Sequence, residues 1–146
     1  MFGRLARQRT GYRDPLGAAG ERAAERYLRR AGYRVIARNV RVRVGEADLV
    51  CLDRDRKTIV IVEVKARRRG SADHPASESI VPEAAITDHK QRKLREIMRS
   101  LVKLNKWDDR PVRIDVVAIE WPADGTGKGR RGRPIIRHFE GAVGDP

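Results

Sequence analysis

The stretch that decides the fold is residues 44–66, which read VGEADLVCLDRDRKTIVIVEVKA. Two apolar runs, 44–52 and 58–66, flank the charged segment DRDRK, whose composition is typical of a turn between strands. The second run is rich in β-branched residues and predicts a strand at the centre of a sheet. These residues therefore predict an antiparallel hairpin.

The register of this hairpin brings charged side chains together. Pairing across the four-residue loop 54–57 places Asp48 opposite Glu63. The same register places Glu46 opposite Lys65, and strand alternation puts Lys65 on the same face as Glu63. We therefore expect these charged groups to share one face of two strands that are otherwise largely apolar.

Helices and further strands surround the hairpin. Residues 15–31 and 87–105 carry apolar side chains at helical spacing and predict amphipathic helices. Strands are predicted for residues 33–40, 112–121 and 135–139, in addition to the two of the hairpin. The resulting order, α-β-β-β-α-β-β, predicts an α/β fold with a central mixed β-sheet flanked by helices.

The remaining segments lack such patterning. Residues 1–13 are basic and predict a flexible N-terminal arm, and residues 67–81 predict a long polar loop. The Gly- and Arg-rich residues 124–133 predict an exposed basic hairpin tip. We therefore expect one domain over residues 14–140, followed by a short tail, 141–146.

The charge of the chain points to a polyanionic partner. The 146 residues include 33 Lys and Arg against 20 Asp and Glu, a formal net charge of +13. Such a field attracts nucleic acid, and we expect DNA rather than a membrane because no basic amphipathic helix carries Trp and Phe on its apolar side. A basic solvated surface without a specific partner remains the alternative.

Cysteine content and hydropathy indicate a cytoplasmic protein. The single cysteine, Cys51, lies in an apolar run and leaves no intramolecular disulfide to form. No stretch approaches the roughly 18 apolar residues of a transmembrane helix. We therefore expect a reducing compartment and no membrane association.

The residues Asp48, Glu63 and Lys65 predict metal-assisted phosphodiester hydrolysis. Two close carboxylates favour a hard divalent ion such as Mg²⁺ or Mn²⁺. An adjacent Lys can orient or help deprotonate the attacking water and stabilise charge on a phosphorus centre. The structural alternative is a Glu46–Lys65 cross-strand ion pair, with Asp48 and Glu63 as solvated edge carboxylates.

Two other groups of residues predict no chemistry. The three histidines, His74, His89 and His138, lack the spacing of a zinc site. Asp115 interrupts the apolar strand VRIDVVAI, and we expect a structural role for it, as a cap or as the ion-pair partner of an Arg.

Four blocks of sequence, in order, resemble the YraN-like family of small bacterial proteins. They read GERAAERYLRRAGYRVIARNVRVRVGEADLV, IVIVEVKARR, PEAAITDHKQRKL and VRIDVVAIE. Members of this family are predicted endonucleases, similar in fold to archaeal Holliday junction resolvases and to other PD-(D/E)xK nucleases. The resemblance spans roughly residues 15–140 and implies a restriction-endonuclease-like domain.

The resemblance also implies roles for individual residues. Glu21 matches the acidic position on the first helix, Asp48 the aspartate of the motif, and Glu63-Val64-Lys65 its Glu-x-Lys end. It implies that Asp48 and Glu63 bind the metal, with the Val64 carbonyl as a further ligand and Glu21 acting directly or through water. Lys65 would serve the attacking water.

Departures from the pattern and candidate DNA contacts complete the site. Ala47 stands where the superfamily motif has Pro, and the Gln-x-x-x-Tyr helix motif of some relatives is absent. Lys90 and Gln91 face inward near a helix N-terminus and are candidate phosphate contacts, with solvated helix-start residues as the alternative. Further candidates follow the catalytic strand: Arg67, Arg68 and Arg69.

The resemblance implies a Mg²⁺-dependent DNA endonuclease, with branched DNA as a candidate substrate. Attack of water would leave a 5′-phosphate and a 3′-hydroxyl. A non-catalytic DNA-binding module on a nuclease fold and an accessory protein-binding factor in DNA processing are the alternatives. We expect a homodimer by analogy, because a junction has two strands to cut.

Overall fold

The computed structural model describes residues 15–69, 86–122 and 132–144. The elements are helix α1 (Pro15–Arg30), strands β1 (Arg34–Val42), β2 (Gly45–Leu52) and β3 (Ile59–Arg68), helix α2 (Asp88–Asn105), and strands β4 (Val112–Trp121) and β5 (Ile135–Val143). This order confirms the predicted succession of elements. The predicted N-terminal arm, all but the first residues of the polar loop, and nearly all of the hairpin tip lie outside the described residues.

Three strands end later than the sequence pattern predicts, and the first of them, β1, continues to Val42. β3 continues through Arg68 and thus includes residues assigned above to the polar loop. β5 continues to Val143, whose side chain is buried, so residues 141–143 belong to the sheet rather than to a tail. Polar residues interrupt the apolar run in β3, and polar residues and Gly141 interrupt it in β5, yet pairing with β4 extends both strands.

The five strands form one mixed sheet in the order β1-β2-β3-β4-β5. β3 and β4 are parallel, and the other neighbouring strands are antiparallel. α2 lies between β3 and β4 in the chain, as the crossover between parallel strands requires. The predicted α/β architecture, a central mixed sheet flanked by helices, is confirmed.

The two helices pack on opposite faces of this sheet. Along β3, Ile59 and Ile61 pack in a core with the apolar side of α2, whereas Val60 and Val62 pack in a second core with α1. Cys51 is buried on the α1 side. Burial raises the pKa of its thiol to about 12, and the group stays neutral.

Helix α1 approaches β3 so closely that only glycine fits at the contact. A Cβ on Gly20 would lie 2.5 Å from the Cβ of Ala66, well inside van der Waals distance. The neighbouring residue in the helix is Glu21, and Ala66 directly follows Lys65 in the strand. This close approach therefore positions Glu21 relative to the Glu-x-Lys segment.

The β2–β3 hairpin has the predicted register. Leu49 pairs with Val62 and Leu52 with Ile59, and the Asp53 amide donates to the Thr58 carbonyl at 2.9 Å. The ladder ends at Leu49, and Asp48 is the first residue of β2 beyond it. The two strands thus begin to separate where the candidate catalytic residues lie.

Candidate active site

Asp48 lies at the point where β2 and β3 separate. Its Oδ2 accepts a hydrogen bond from the backbone amide of Val64 at 2.8 Å. The side chain thereby continues the connection between the strands after the backbone ladder ends. This bond fixes the Asp48 carboxylate beside the Glu63-Val64-Lys65 segment.

Burial and neighbouring negative charge dominate the electrostatics of Asp48. Burial raises the pKa of its carboxyl to about 8, together with the charges of Glu63 and Glu21 and a hydrogen bond shared with Glu63. The Val64 amide acts in the opposite direction. The structure therefore brings together the three carboxyl groups that the sequence singled out, with Glu63 and Glu21 close enough to raise the pKa of Asp48.

Two lysines contact the same oxygen of Glu63. The Glu63 side chain is 7% exposed, and its Oε1 lies 3.8 Å from the Lys65 Nζ and 3.1 Å from the Lys90 Nζ. Lys65 comes from the same strand, whereas Lys90 reaches across from the first turn of α2. The carboxylate is thus buried with two ammonium groups as counter-charges, as a buried carboxylate requires.

In the first turn of α2, the side chains of the two predicted residues, Lys90 and Gln91, have different partners. Thr87 caps the helix by accepting from the Lys90 amide at 3.2 Å, and the Lys90 side chain extends to Glu63. Gln91 instead donates from its Nε2 to the Ile86 carbonyl at 3.3 Å. Gln91 also lines an open depression of about 420 Å³ on α2 together with Arg92 and Arg95. Lys90 belongs to the site, and Gln91 lies beside it.

Glu46 and Lys65 do not form the cross-strand ion pair that was the structural alternative to a metal site. Lys65 pairs with Glu63, and Glu46 pairs with Arg41 of β1 at 3.4 Å. Glu63 is buried rather than solvated at an edge. The charged groups of the hairpin therefore form a buried carboxylate–lysine cluster and not a simple cross-strand surface pair.

The three arginines after the catalytic strand differ in their surroundings. Arg67, whose side chain is 14% exposed, donates to Glu120 of β4 at 3.0 Å. Arg69 lies 3.6 Å from the other oxygen of Glu120 and is half exposed, and Arg68 is exposed. Arg68 and Arg69 can reach a phosphate, whereas Arg67 is engaged by Glu120.

The oxygen donors of the site fit a divalent ion that keeps part of its water shell. Within residues 15–69, 86–122 and 132–144, no set of three or more His, Cys, Asp and Glu side chains is arranged to hold a metal ion. The donors are the carboxyl groups of Asp48 and Glu63, and the charge of Glu63 contributes to the raised pKa of Asp48. Mg²⁺ commonly takes one or two carboxylates plus water and phosphate oxygens, and this pair matches that donor set.

A second polar cluster, the Asp115 network, lies on the α1 side of β4 and was not predicted as a whole. Asp115 is fully buried and accepts from Arg113 at 2.9 Å, from the Gly141 amide at 2.9 Å, and contacts the His138 Nε2 at 2.8 Å. Arg113 also donates to Asp53 and, at 2.9 Å, to the Tyr33 hydroxyl. The expected Asp–Arg ion pair is confirmed.

The pKa of Asp115 is shifted in the opposite direction from the pKa of Asp48. Burial raises the pKa of Asp115, but hydrogen bonds from His138, Arg113 and Gly141 outweigh it and hold the pKa below its ordinary value. Asp115 is thus an ionised, fully paired structural group. The Arg-x-Asp spacing on one strand face was the available sequence signal, whereas the contacts to Tyr33 and His138 depend on tertiary packing.

Comparison with known families places the chain. Residues 20–119, which contain Glu21, Asp48, Glu63, Lys65 and Lys90, match the family described as "Uncharacterised protein family UPF0102". The chain belongs to the UPF0102 family. This confirms the resemblance to the YraN-like family, because UPF0102 is the YraN family.

Relatives in UPF0102 match most of the chain. A UPF0102 protein of Symbiobacterium thermophilum is 40% identical over 75% of this chain and 86% of its own length. A UPF0102 protein of Nocardia farcinica is 39% identical over 90% of this chain and 91% of its own length. The similarity therefore extends over the helix α1, the hairpin and α2 that build the site.

Two solved structures are more distant from this UPF0102 chain. A chain in the structure of an EndoMS-dsDNA2 complex has a TM-score of 0.41 and 19% identity, covering 75% of this chain and 38% of that one. A repair endonuclease from Pyrococcus abyssi has a TM-score of 0.39 and 19% identity, covering 81% of this chain and 42% of that one. This chain spans about two fifths of the length of either protein.

The described part of this UPF0102 protein, residues 15–69, 86–122 and 132–144, has no helix suited to spanning a membrane. Neither α1 nor α2 combines the length and the apolar composition that crossing a bilayer requires.

Proposed function

We propose that this UPF0102 protein is a DNA endonuclease that depends on Mg²⁺ or Mn²⁺ and hydrolyses phosphodiester bonds at Asp48, Glu63 and Lys65. One observation carries the proposal. The Asp48 carboxylate is fixed by the Val64 amide beside a buried Glu63 that two lysines contact. Purely structural carboxylates are usually fully paired, as in the Asp115 network, whereas Asp48 faces other carboxylates.

Each residue has a role in this proposal. Asp48 and Glu63 bind the divalent ion, the Val64 carbonyl is a further ligand, and Glu21 contributes directly or through water. The ion, when bound, stabilises negative charge on the phosphoryl group and lowers the pKa of a water molecule. Lys65 holds the attacking water and stabilises charge developing on the phosphorus centre.

DNA binding in this proposal rests on charge. The net charge of +13 attracts the phosphate backbone, and exposed Arg68 and half-exposed Arg69 follow directly on the catalytic strand. Contacts of this kind position a duplex without reading its sequence. Branched DNA is the proposed preferred substrate, and a homodimer would bring two sites to the two strands to be cut.

The test is incubation of the purified protein with branched, duplex and single-stranded DNA in Mg²⁺, in Mn²⁺ and in EDTA. Cleavage is expected with either ion and not in EDTA. Asp48→Ala and Glu63→Ala should lower the rate roughly a hundredfold or more, because a bound ion supplies several kcal/mol and about 1.4 kcal/mol is tenfold.

The matched control is Asp108→Ala, which removes a carboxylate from an exposed turn and should cleave like the wild-type protein. Cleavage that persists unchanged in Asp48→Ala would show contamination or another site. Absence of cleavage by the wild-type protein on every substrate would sink the proposal.

The second candidate is a DNA-binding module that does not cut. The observation that favours it is that two ammonium groups already contact the Glu63 Oε1 and serve as its counter-charges. It predicts salt-sensitive binding to DNA that needs no divalent ion and survives Asp48→Ala and Glu63→Ala. Since Cys51 is a free buried thiol, either function suits the reducing environment of the cytoplasm.

A further inference from the structure

We propose that Lys90 is the resident counter-cation of Glu63, and that a divalent ion enters the site by displacing the Lys90 ammonium group. This inference deepens the proposed function and rests on its metal site. It assigns a regulatory role to Lys90 of α2. Because its ion pair with Glu63 must be broken first, Lys90 lowers the affinity of the carboxylate pair for a metal ion.

The geometry distinguishes Lys90 from Lys65. Both ammonium groups approach the same Glu63 oxygen, but Lys90 is the closer, at 3.1 Å against 3.8 Å. Lys65 lies on the same strand face as Glu63, two residues along, so the two residues share one backbone. Lys90 reaches Glu63 from a different element through a long side chain that can turn away into water; both lysine side chains are partly exposed, 37% for Lys90 and 42% for Lys65.

The position of Lys90 in its helix supports the same conclusion. Lys90 is the third residue of α2, and its amide is held by the Thr87 cap. A positive side chain in the first turn of a helix is disfavoured, because the unpaired amides there carry partial positive charge. Attraction to the buried Glu63 carboxylate, rather than the helix itself, therefore explains the inward orientation of Lys90.

A divalent ion and the Lys90 ammonium group compete for the same oxygen. Asp48 and Glu63 would hold the ion, and its positive charge would repel the Lys90 ammonium group that contacts Glu63. Metal binding must therefore overcome the existing ion pair. In the metal-free protein the same ion pair stabilises the fold, because it neutralises a carboxylate that is only 7% exposed.

The experiment is calorimetric titration of the full chain with Mn²⁺, combined with thermal unfolding in EDTA and in saturating Mn²⁺. Lys90→Gln should bind Mn²⁺ about tenfold more tightly than the wild-type protein, the effect of removing one nearby positive charge. In EDTA, Lys90→Gln should have a lower Tm than the wild-type protein. In saturating Mn²⁺, the Tm of Lys90→Gln should equal that of the wild-type protein. Lys90→Met gives the same expectation should the glutamine variant fail to fold.

The matched control is Lys103→Gln, which removes one positive charge from the exposed last turn of the same helix. It should resemble the wild-type protein in Mn²⁺ affinity and in both Tm values. Unchanged or weaker Mn²⁺ binding by Lys90→Gln would overturn the inference, as would absence of Mn²⁺ binding by both proteins. A purely structural Lys90 would lower the Tm equally with and without Mn²⁺.

The outcomes also separate this inference from the proposed function. Tighter Mn²⁺ binding by Lys90→Gln without DNA cleavage by any variant leaves the inference standing and overturns the nuclease. Mn²⁺-dependent cleavage by the wild-type protein, with equal Mn²⁺ affinity in Lys90→Gln, leaves the nuclease standing and overturns the inference.

Discussion

Asp48 carries an electrostatic cost that the rest of the fold does not relieve. Its carboxyl is buried next to Glu63 and near Glu21, and the Val64 amide is the neighbour that favours the ionised form. A group in this position is stabilised by acquiring either a proton or a cation. The site therefore couples protonation, metal binding and stability through one residue.

The pH dependence of stability follows from the pKa of Asp48. That pKa is about 8 in the folded protein against an ordinary value of 3.8, so the unfolded chain loses the proton first as the pH rises. Without metal, stability should fall as the pH rises through this window, and Mg²⁺ should restore more of it at pH 8.5 than at pH 5. Thermal unfolding in EDTA and in Mg²⁺ at both pH values measures this.

Asp48→Asn provides the control, because an amide oxygen can still accept from the Val64 amide but does not ionise. In EDTA the variant should lose less stability between the two pH values than the wild-type protein. Equal losses in the two proteins would show that Asp48 does not titrate in this range.

Asp115, unlike Asp48, is fully paired with hydrogen-bond donors, and we expect its removal to destabilise the protein strongly. Asp115→Ala leaves the half-buried Arg113 cation without its main partner and the Gly141 amide without an acceptor. We expect the free energy of unfolding to fall by about 3 kcal/mol or more. Chemical denaturation measures it, and Asp108→Ala in an exposed turn should stay within roughly 0.5 kcal/mol of the wild-type value. A loss of similar size in both variants would contradict the structural role of the network.

At the level of elements, the hairpin was predictable because its determinants are local. The turn at residues 53–58 fixes the register of the ladder, and Asp48, directly after its last pair, is held beside Glu63 by the Val64 amide. The Lys90–Glu63 and Arg67–Glu120 contacts depend instead on the crossover through α2 and on the parallel register of β3 and β4. Spacing along the chain holds no information on such long-range pairing, so the sequence indicated Lys90, Glu63 and Arg67 as candidate site residues but not these contacts, and it did not indicate Glu120.

The close contact between α1 and β3 predicts that adding one methyl group at Gly20 lowers the stability of the protein. Gly20→Ala improves helix propensity by about 1 kcal/mol, yet its Cβ would overlap that of Ala66, a strain of roughly 1–3 kcal/mol. We expect a net loss of stability and a disturbed position of Glu21. Denaturant unfolding of Gly20→Ala measures the loss.

A double-mutant cycle with Ala66→Gly isolates this contact. Removing the Ala66 methyl group makes room for the new one, so the double variant should be more stable than the sum of the two single changes predicts. Additive effects would mean that the overlap is relieved by a shift of the helix rather than felt as strain.

At the scale of the whole molecule, the net charge of +13 predicts DNA binding that depends steeply on salt. A protein that makes about six phosphate contacts loses roughly a thousandfold in affinity between about 50 and about 200 mM salt. Arg68→Ala should weaken binding to all sequences and lower the salt slope by about one. Fluorescence anisotropy of labelled duplexes measures both quantities.

Two variants serve as references for that measurement. Arg67→Ala should change the slope less than Arg68→Ala, because Arg67 is engaged by Glu120. Arg30→Ala, at the exposed end of α1, removes the same charge far along the helix from Glu21. A slope that responds equally to all three variants would indicate attraction by net charge without a defined DNA path.

The buried thiol of Cys51 provides a built-in probe of how often the sheet opens. Cys51 lies on β2, three residues from Asp48, and is both fully buried and neutral, so a thiol reagent reaches it only when the sheet opens. The labelling rate of the unmodified chain therefore reads the population of opened molecules directly. We expect Mn²⁺ to slow this labelling, and the slowing to disappear in Glu63→Gln if the ion binds at the carboxylate pair.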